Sequence, residues 1–177
     1  MPAGRTAAAA AAVALAALCC PSPAGAVGAL SVRFDLATGR VGGLQLGVAK
    51  EAQVLARFGK PKSVTHDLGG VATDSRRLMY RCGSGCTLAA ELDGADTLQL
   101  VWAYLRKATT RKQIRTSAGT YLGLSQASAE RREKRRMRPG CVMQMSRTVG
   151  DVRLEVGAQP GYVDSIVMAT SKAYVLC

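Results

Sequence analysis

The residues of this 177-residue chain best equipped for chemistry are its cysteines, a dense run of arginines and a single histidine. Cys82 and Cys86 flank Gly83-Ser84-Gly85, a three-residue turn that would bring the two thiols face to face. Cys141 and Cys177 form the remaining pair once Cys19 and Cys20 are set aside with the leader described below. An even number of cysteines predicts two disulfides in an oxidising compartment. Of the three pairings that four cysteines allow, Cys82 with Cys86 and Cys141 with Cys177 is favoured. The second bond would close a loop of about 36 residues, worth about 3 to 4 kcal/mol by chain entropy. A zinc site is disfavoured, because the chain has no C-x-x-C pair and export favours oxidation.

The arginine run is Glu130-Arg131-Arg132-Glu133-Lys134-Arg135-Arg136-Met137-Arg138. Placed on a helix, its six cations would surround most of the axis and attract polyanions. Arg131, Arg132, Lys134, Arg135, Arg136 and Arg138 are therefore the candidate anion-binding residues. Anionic envelope polymers and lipid headgroups are the expected targets, at about 1 kcal/mol per basic residue near an anionic membrane. The competing reading is a solvated face with pairs such as Glu130 and Lys134. The connector Arg106 to Arg115 is also basic.

Catalytic constellations do not emerge. His66 stands in a polar loop beside Asp67 with no matched nucleophile, and Ser63 and Ser75 lie close in sequence. Glu91, Asp93 and Asp96 could supply paired carboxylates for sugar hydrolysis, but a hairpin turn carries such residues in any case. Gly39-Arg40-Val41-Gly42-Gly43 lacks the Lys-Ser/Thr of a phosphate loop. The expectation is a protein that is not an enzyme and needs no cofactor or metal.

Export sets the context for these groups. Arg5 precedes an apolar run from Ala7 to Cys20 of about fourteen residues, short of the roughly 20 a spanning helix needs. Pro21, Ser22, Pro23 and Ala24-Gly25-Ala26 follow, so residues 1–26 read as a signal peptide cleaved after Ala26. The protein is expected to be secreted, periplasmic or extracellular. Cleavage removes one base and no acid from a net charge of +12, so the partners should be anionic. Few aromatic residues are available for stacking on bases, and export removes the usual nucleic-acid partner, so no nucleic acid is expected.

The elements that must position these residues begin with a strand, in which Leu30, Val32, Phe34 and Leu36 alternate with polar residues. A short helix over Ala49 to Phe58 is expected to bury Val48, Ala52, Leu55 and Phe58, and it ends at Gly59 and Pro61. Three strands follow, Ser75 to Arg81, Thr87 to Leu92 and Thr97 to Leu105, joined by Gly83-Ser84-Gly85 and Asp93-Gly94. In the last of them Trp102 is expected to share a face with Leu98, Leu100 and Tyr104 and to pack in the core, on a central strand covered on both sides, with an exposed binding anchor as the alternative. The order returns after the basic connector: a Gly123 turn, a helix over Gln126 to Met137, then strands Val142 to Ser146, Val152 to Val156 and Val163 to Met168. Gly47 and Gly123 are offset by 76 residues, which places Glu130, Arg131 and Lys134 where Val54, Leu55 and Phe58 stand in the first copy. The expected fold class is α+β, a tandem repeat of a short helix plus a three-stranded antiparallel meander. Its units would span residues 27–110, including the N-terminal strand, and 111–177.

The Leu-Gly opening, the helix ending in Arg57-Phe58-Gly59-Lys60-Pro61 and the following meander resemble the SmpA/OmlA (BamE) lipoprotein fold. The duplication over residues 43 to 170 resembles the secreted β-lactamase inhibitor proteins built from that unit. The resemblance implies a protein that holds another protein on a sheet surface or loops. Two functions are carried forward: a secreted, non-enzymatic protein-interaction or inhibitor-like module, and a binder of anionic cell-envelope polymer or membrane surface through the basic helix.

Overall fold

In the computed structural model, which describes residues 30–66, 74–139 and 143–173, alternating burial follows the chain from its first strand. β1 (Val32–Asp35) buries Val32 and Phe34 and exposes Arg33. A turn brings in β2 (Arg40–Val41) and β3 (Leu44–Gln45). α1 (Glu51–Phe58) starts where the Gln53 side chain accepts the Lys50 N–H at 2.9 Å, and stops where the Gly59 N–H donates to the Leu55 carbonyl at 2.8 Å. Val54 and Phe58, one turn apart, are its buried pair. Val48 and Leu55, expected on that face, are 65% and 36% exposed. Next come β4 (Ser63–His66), β5 (Arg76–Arg81), β6 (Cys86–Leu92) and β7 (Leu98–Leu105). Then follow β8 (Arg111–Thr116), β9 (Tyr121–Leu122), α2 (Gln126–Glu133), β10 (Met143–Val149), β11 (Val152–Gln159) and β12 (Tyr162–Thr170).

These strands make a seven-stranded sheet of order β10-β11-β12-β7-β6-β5-β4 and a five-stranded sheet of order β3-β2-β1-β8-β9. The larger sheet joins two antiparallel meanders where β12 meets β7, with Val167 opposite Trp102. In the smaller sheet β1 runs parallel to β8, pairing Val32 with Ile114. Both sheets therefore draw strands from either side of residue 110.

The α+β tandem expectation is corrected to a mostly β fold, with 51% of the described residues in strands and 12% in two helices. The difference has local causes. The basic connector contains β8, whose exposed Lys112 and Arg115 hide a buried Ile114 and Thr116. Four further short strands, β2, β3, β4 and β9, lie where turns or loops were expected. The second helix is shorter than expected, ending at Glu133 with Lys134 in the left-handed region at φ 52°.

One apolar core fills the space between the larger sheet and the layer made by α1, α2 and the smaller sheet. Leu78, Leu88, Val101, Ile166 and Leu154 supply it from the larger sheet, Val54, Phe58 and Ala129 from the helices, and Phe34 and Ile114 from the smaller sheet. The opposite face of the larger sheet carries a separate cluster of Leu100, Ala169, Ala173, Trp102 and Val167, to which neither helix nor the smaller sheet contributes.

Candidate binding surface

Strand pairing assembles this second face row by row. Arg81, Thr87, Tyr104 and Ser165 lie side by side across β5, β6, β7 and β12. Met79, Ala89, Trp102 and Val167 form the next row, extended onto β11 by Glu155. Arg77, Glu91, Leu100 and Ala169 form the third. Leu98 does not share this face: the register shifts between Glu91 and Leu92, and Gln99 is the extra residue of a bulge. The bulge is held from both ends, because the Gln99 amide donates to Asp93 Oδ2 at 2.7 Å and the Thr170 hydroxyl donates to Gln99 Oε1 at 2.6 Å. Asp93 also accepts the N–H groups of Ala95 and Thr97, and these bonds hold its carboxyl below the usual range against the opposing effect of burial.

Trp102 is fixed within an otherwise aliphatic strip. Its Nε1–H donates to Glu91 Oε1 at 3.2 Å, and the same oxygen accepts from Arg77 Nε at 2.7 Å. The Arg77 guanidinium stands 5.7 Å from the Trp102 ring centroid, within cation–π range. Glu91 is only 3% exposed, so its charge depends on Arg77 for compensation. On the far side of the strip Glu155 is likewise buried and paired with Arg153. At the other end, Ala173 folds back over Leu100 and Ala169 after a turn closed by its N–H to the Thr170 carbonyl. Aromatic residues, Met and Arg are the types enriched at interface centres, and Trp102, Met79 and Arg77 stand together here.

Beside this strip, at the β5–β6 end, lies a groove of about 310 Å³ lined by Lys62, Ser63, Met79, Arg81, Thr87 and Arg106. Its end wall is the turn Gly83-Ser84-Gly85, closed by the disulfide Cys82–Cys86 with a Cα separation of 5.1 Å. Gly83 and Gly85 adopt φ of 123° and 68°, conformations that favour glycine. Arg111 secures the turn by donating from Nη2 to the Ser84 carbonyl at 2.6 Å, and the Arg106 N–H donates to Gly85 at 2.9 Å. Both sulfurs belong to buried residues, which marks this bond as structural. Cys141 and Cys177 lie outside the described residues, as does the 1–26 leader.

The expected anion-binding residues are all exposed, but they do not lie on one helix. Arg131 and Arg132 sit in the last turn of α2, where cations complement the helix dipole. Lys134, Arg135, Arg136 and Arg138 follow its end. Arg131, Lys134, Arg135 and Arg136 surround a basin of about 410 Å³ with Ala127 and Glu130. Arg132 lies instead against Gly119, and Arg138 pairs its backbone with Gln144. Glu130 accepts the Met137 N–H at 2.9 Å and the Gln126 amide, which lower its pKa, so the basin holds an anion of its own. Glu133, counted in the charged run, is buried and accepts the Thr116 hydroxyl at 2.6 Å.

His66 stands on the exposed edge strand β4 opposite Arg76, and Ser75 is buried. Asp93 and Asp96 belong to the β6–β7 turn, with Asp96 and Glu51 both paired to Arg76. No group of three or more His, Cys, Asp or Glu side chains among the described residues is placed to hold a metal. Lys62, Arg77 and Arg81 escaped notice in the sequence, and Glu91 was weighed there only as a carboxylate for sugar hydrolysis. The available signal was Arg77 and Arg81 at alternate positions of β5, on the side away from Leu78 and Tyr80.

No family model matches the chain, and no curated protein matches it. A solved structure of a DUF4309 family protein (YjgB) from Bacillus subtilis subsp. subtilis str. 168 is similar at TM-score 0.48 and 15% identity, covering 72% of this chain and 82% of that one. The resemblance to SmpA/OmlA (BamE) and to the tandem β-lactamase inhibitor proteins is corrected, since no family model matches the chain and its fold is not the tandem of helix-plus-meander units that the resemblance implies. A short helix bounded by glycine and followed by a meander is too common a pattern to carry it.

Proposed function

We propose that this chain is a non-enzymatic binding module, exported by its 1–26 leader, that holds a protein partner on the second face of its larger sheet. The observation that supports this most is Trp102, anchored by Glu91 and Arg77 in an apolar strip that neither helix covers. Large amphipathic side chains held rigid before binding lose little entropy on association. The buried disulfide Cys82–Cys86 suits an oxidising compartment. The test is capture of a partner from extracellular and envelope extracts by residues 27–177, with parallel washes at low and high salt. Retention at high salt, abolished by Tyr104→Glu in a folded variant, is the expected result. Tyr104 is 36% exposed, so the new carboxylate can be tolerated by the fold.

A second reading rests on the basin at the end of α2, where Arg131, Lys134, Arg135 and Arg136 converge. It would bind anionic envelope polymer, or make peripheral contact with a membrane surface, by electrostatics alone. Retention only at low salt, lost when those four residues are neutralised, would favour it over the sheet face.

A further inference from the structure

We infer that the groove beside the aromatic strip is a carboxylate subsite, and that the partner reaches the sheet through an acidic segment carrying an apolar residue. The inference rests on the protein-binding reading above and specifies the chemistry of the partner.

The charges on the second face fall into two groups. Arg77 and Arg153 are compensated by Glu91 and Glu155, which leaves them little capacity for an external anion. Among the described residues, Lys62, Arg81 and Arg106 form no ion pair, and no carboxylate lines the groove they share. The Ser63 and Thr87 hydroxyls line the same groove. A carboxylate entering there would meet three cations and two hydroxyl donors, a set suited to charge-assisted hydrogen bonds.

The surroundings select among anions. Arg81 lies in one row with Thr87 and Tyr104, so the cation and the aromatic ring are two strands, about 10 Å, apart. Met79 lines the groove and continues through Ala89 to Trp102 in the adjacent row. A peptide with an acidic side chain a few residues from an apolar one satisfies both halves of this surface. A polyphosphate or sulfated polymer would leave the aliphatic strip unused. An anionic bilayer would be drawn equally to the basin at α2. The Cys82–Cys86 bond acts here as a positioning element, since it holds the Gly83–Gly85 wall of the groove.

Trp102 is the only tryptophan of the chain, so its fluorescence reports directly on this face. Residues 27–177 would be titrated with a short peptide alternating glutamate and leucine, with polyphosphate, and with phosphatidylglycerol vesicles. The expected result is a saturable change with the peptide, weakened about tenfold or more by Arg81→Ala with Arg106→Ala and little altered by Arg131→Ala with Arg136→Ala. Equal loss in the two double variants, or a response to polyphosphate or vesicles with the peptide inert, would overturn the subsite. Arg131 and Arg136 lie at the basin beside α2, away from the groove, and circular dichroism verifies that each variant is folded. The partner capture separates the two claims. A partner held at high salt by Arg81→Ala with Arg106→Ala as firmly as by wild type sinks the subsite and leaves the binding face standing. No partner held at high salt sinks the binding face itself.

Discussion

The two faces of the larger sheet are built from alternate residues of the same strands, yet they solve opposite problems. In β5, Leu78 and Tyr80 point into the core while Arg77, Met79 and Arg81 point away. In β7, Val101, Ala103 and Leu105 are buried in the core and Trp102 and Tyr104 are not. The core face excludes water with aliphatic packing against two helices and a second sheet. The other face reaches low exposure at Glu91 and Glu155 only by pairing charges. Stability should therefore reside in the first face and recognition in the second. The largest test compares Leu88, fully buried in the core, with Val167 in the second cluster. Leu88→Ala should cost about 2 to 5 kcal/mol in chemical denaturation and Val167→Ala about 1 kcal/mol or less. Equal losses would show that the second face is a core in its own right.

A sharper version removes a charge from the second face. Glu91→Ala leaves Arg77 without its partner and Trp102 without its acceptor. Because Arg77 is 33% exposed, water can recover part of the loss, and the expected cost is about 2 to 3 kcal/mol. The diagnostic signature is a red shift of Trp102 emission, which a core substitution such as Leu88→Ala should not produce in the folded state. Breaking Cys82–Cys86 by a double serine substitution comes next, at about 2 kcal/mol for so short a loop. It should also weaken anion binding in the groove while leaving the basin at α2 unchanged.

Much of this division was legible locally and little of it at long range. The strands of both meanders follow from alternation bounded by turns, and Asp93-Gly94 makes its turn through the Asp93 carboxylate as expected of that residue. Cys82–Cys86 was readable because its partners and its turn lie within five residues. β8 was not, since its partner β1 lies some 80 residues earlier and its charges mask Ile114. The bulge at Gln99 moved Leu98 to the core face, a change set by Asp93 and Thr170, and Thr170 is remote in sequence. The basic segment looked like one helix because composition does not report a left-handed Lys134 or a Glu133 drawn inward by Thr116. The candidate groove needed the pairing of β4, β5 and β6 with the chain after β7, so no single motif announced it.

The smallest expected effect concerns a tyrosine of the core face. Tyr80 is buried with its ring edge-on to Phe58 at 5.6 Å, and its hydroxyl has no hydrogen-bond partner among the described residues. Burial, reinforced by the negative charge of Glu51, pushes its pKa up to about 12 from an ordinary value near 10. The folded state thus keeps a proton that the unfolded chain releases above pH 10, so stability falls as pH rises from about 10 to 12 and is unaffected by this group below that window. The loss attributable to Tyr80 should reach about 1 kcal/mol by pH 11. Other tyrosines and the lysines titrate over the same range, and Tyr80→Phe isolates the contribution, because the variant should lack that part of the decline while matching wild type within about 1 kcal/mol at pH 7. Parallel alkaline profiles for the two proteins would mean that water reaches the phenol, and that the core face is less sealed beneath Arg81 than its neighbours Leu78 and Leu88 indicate.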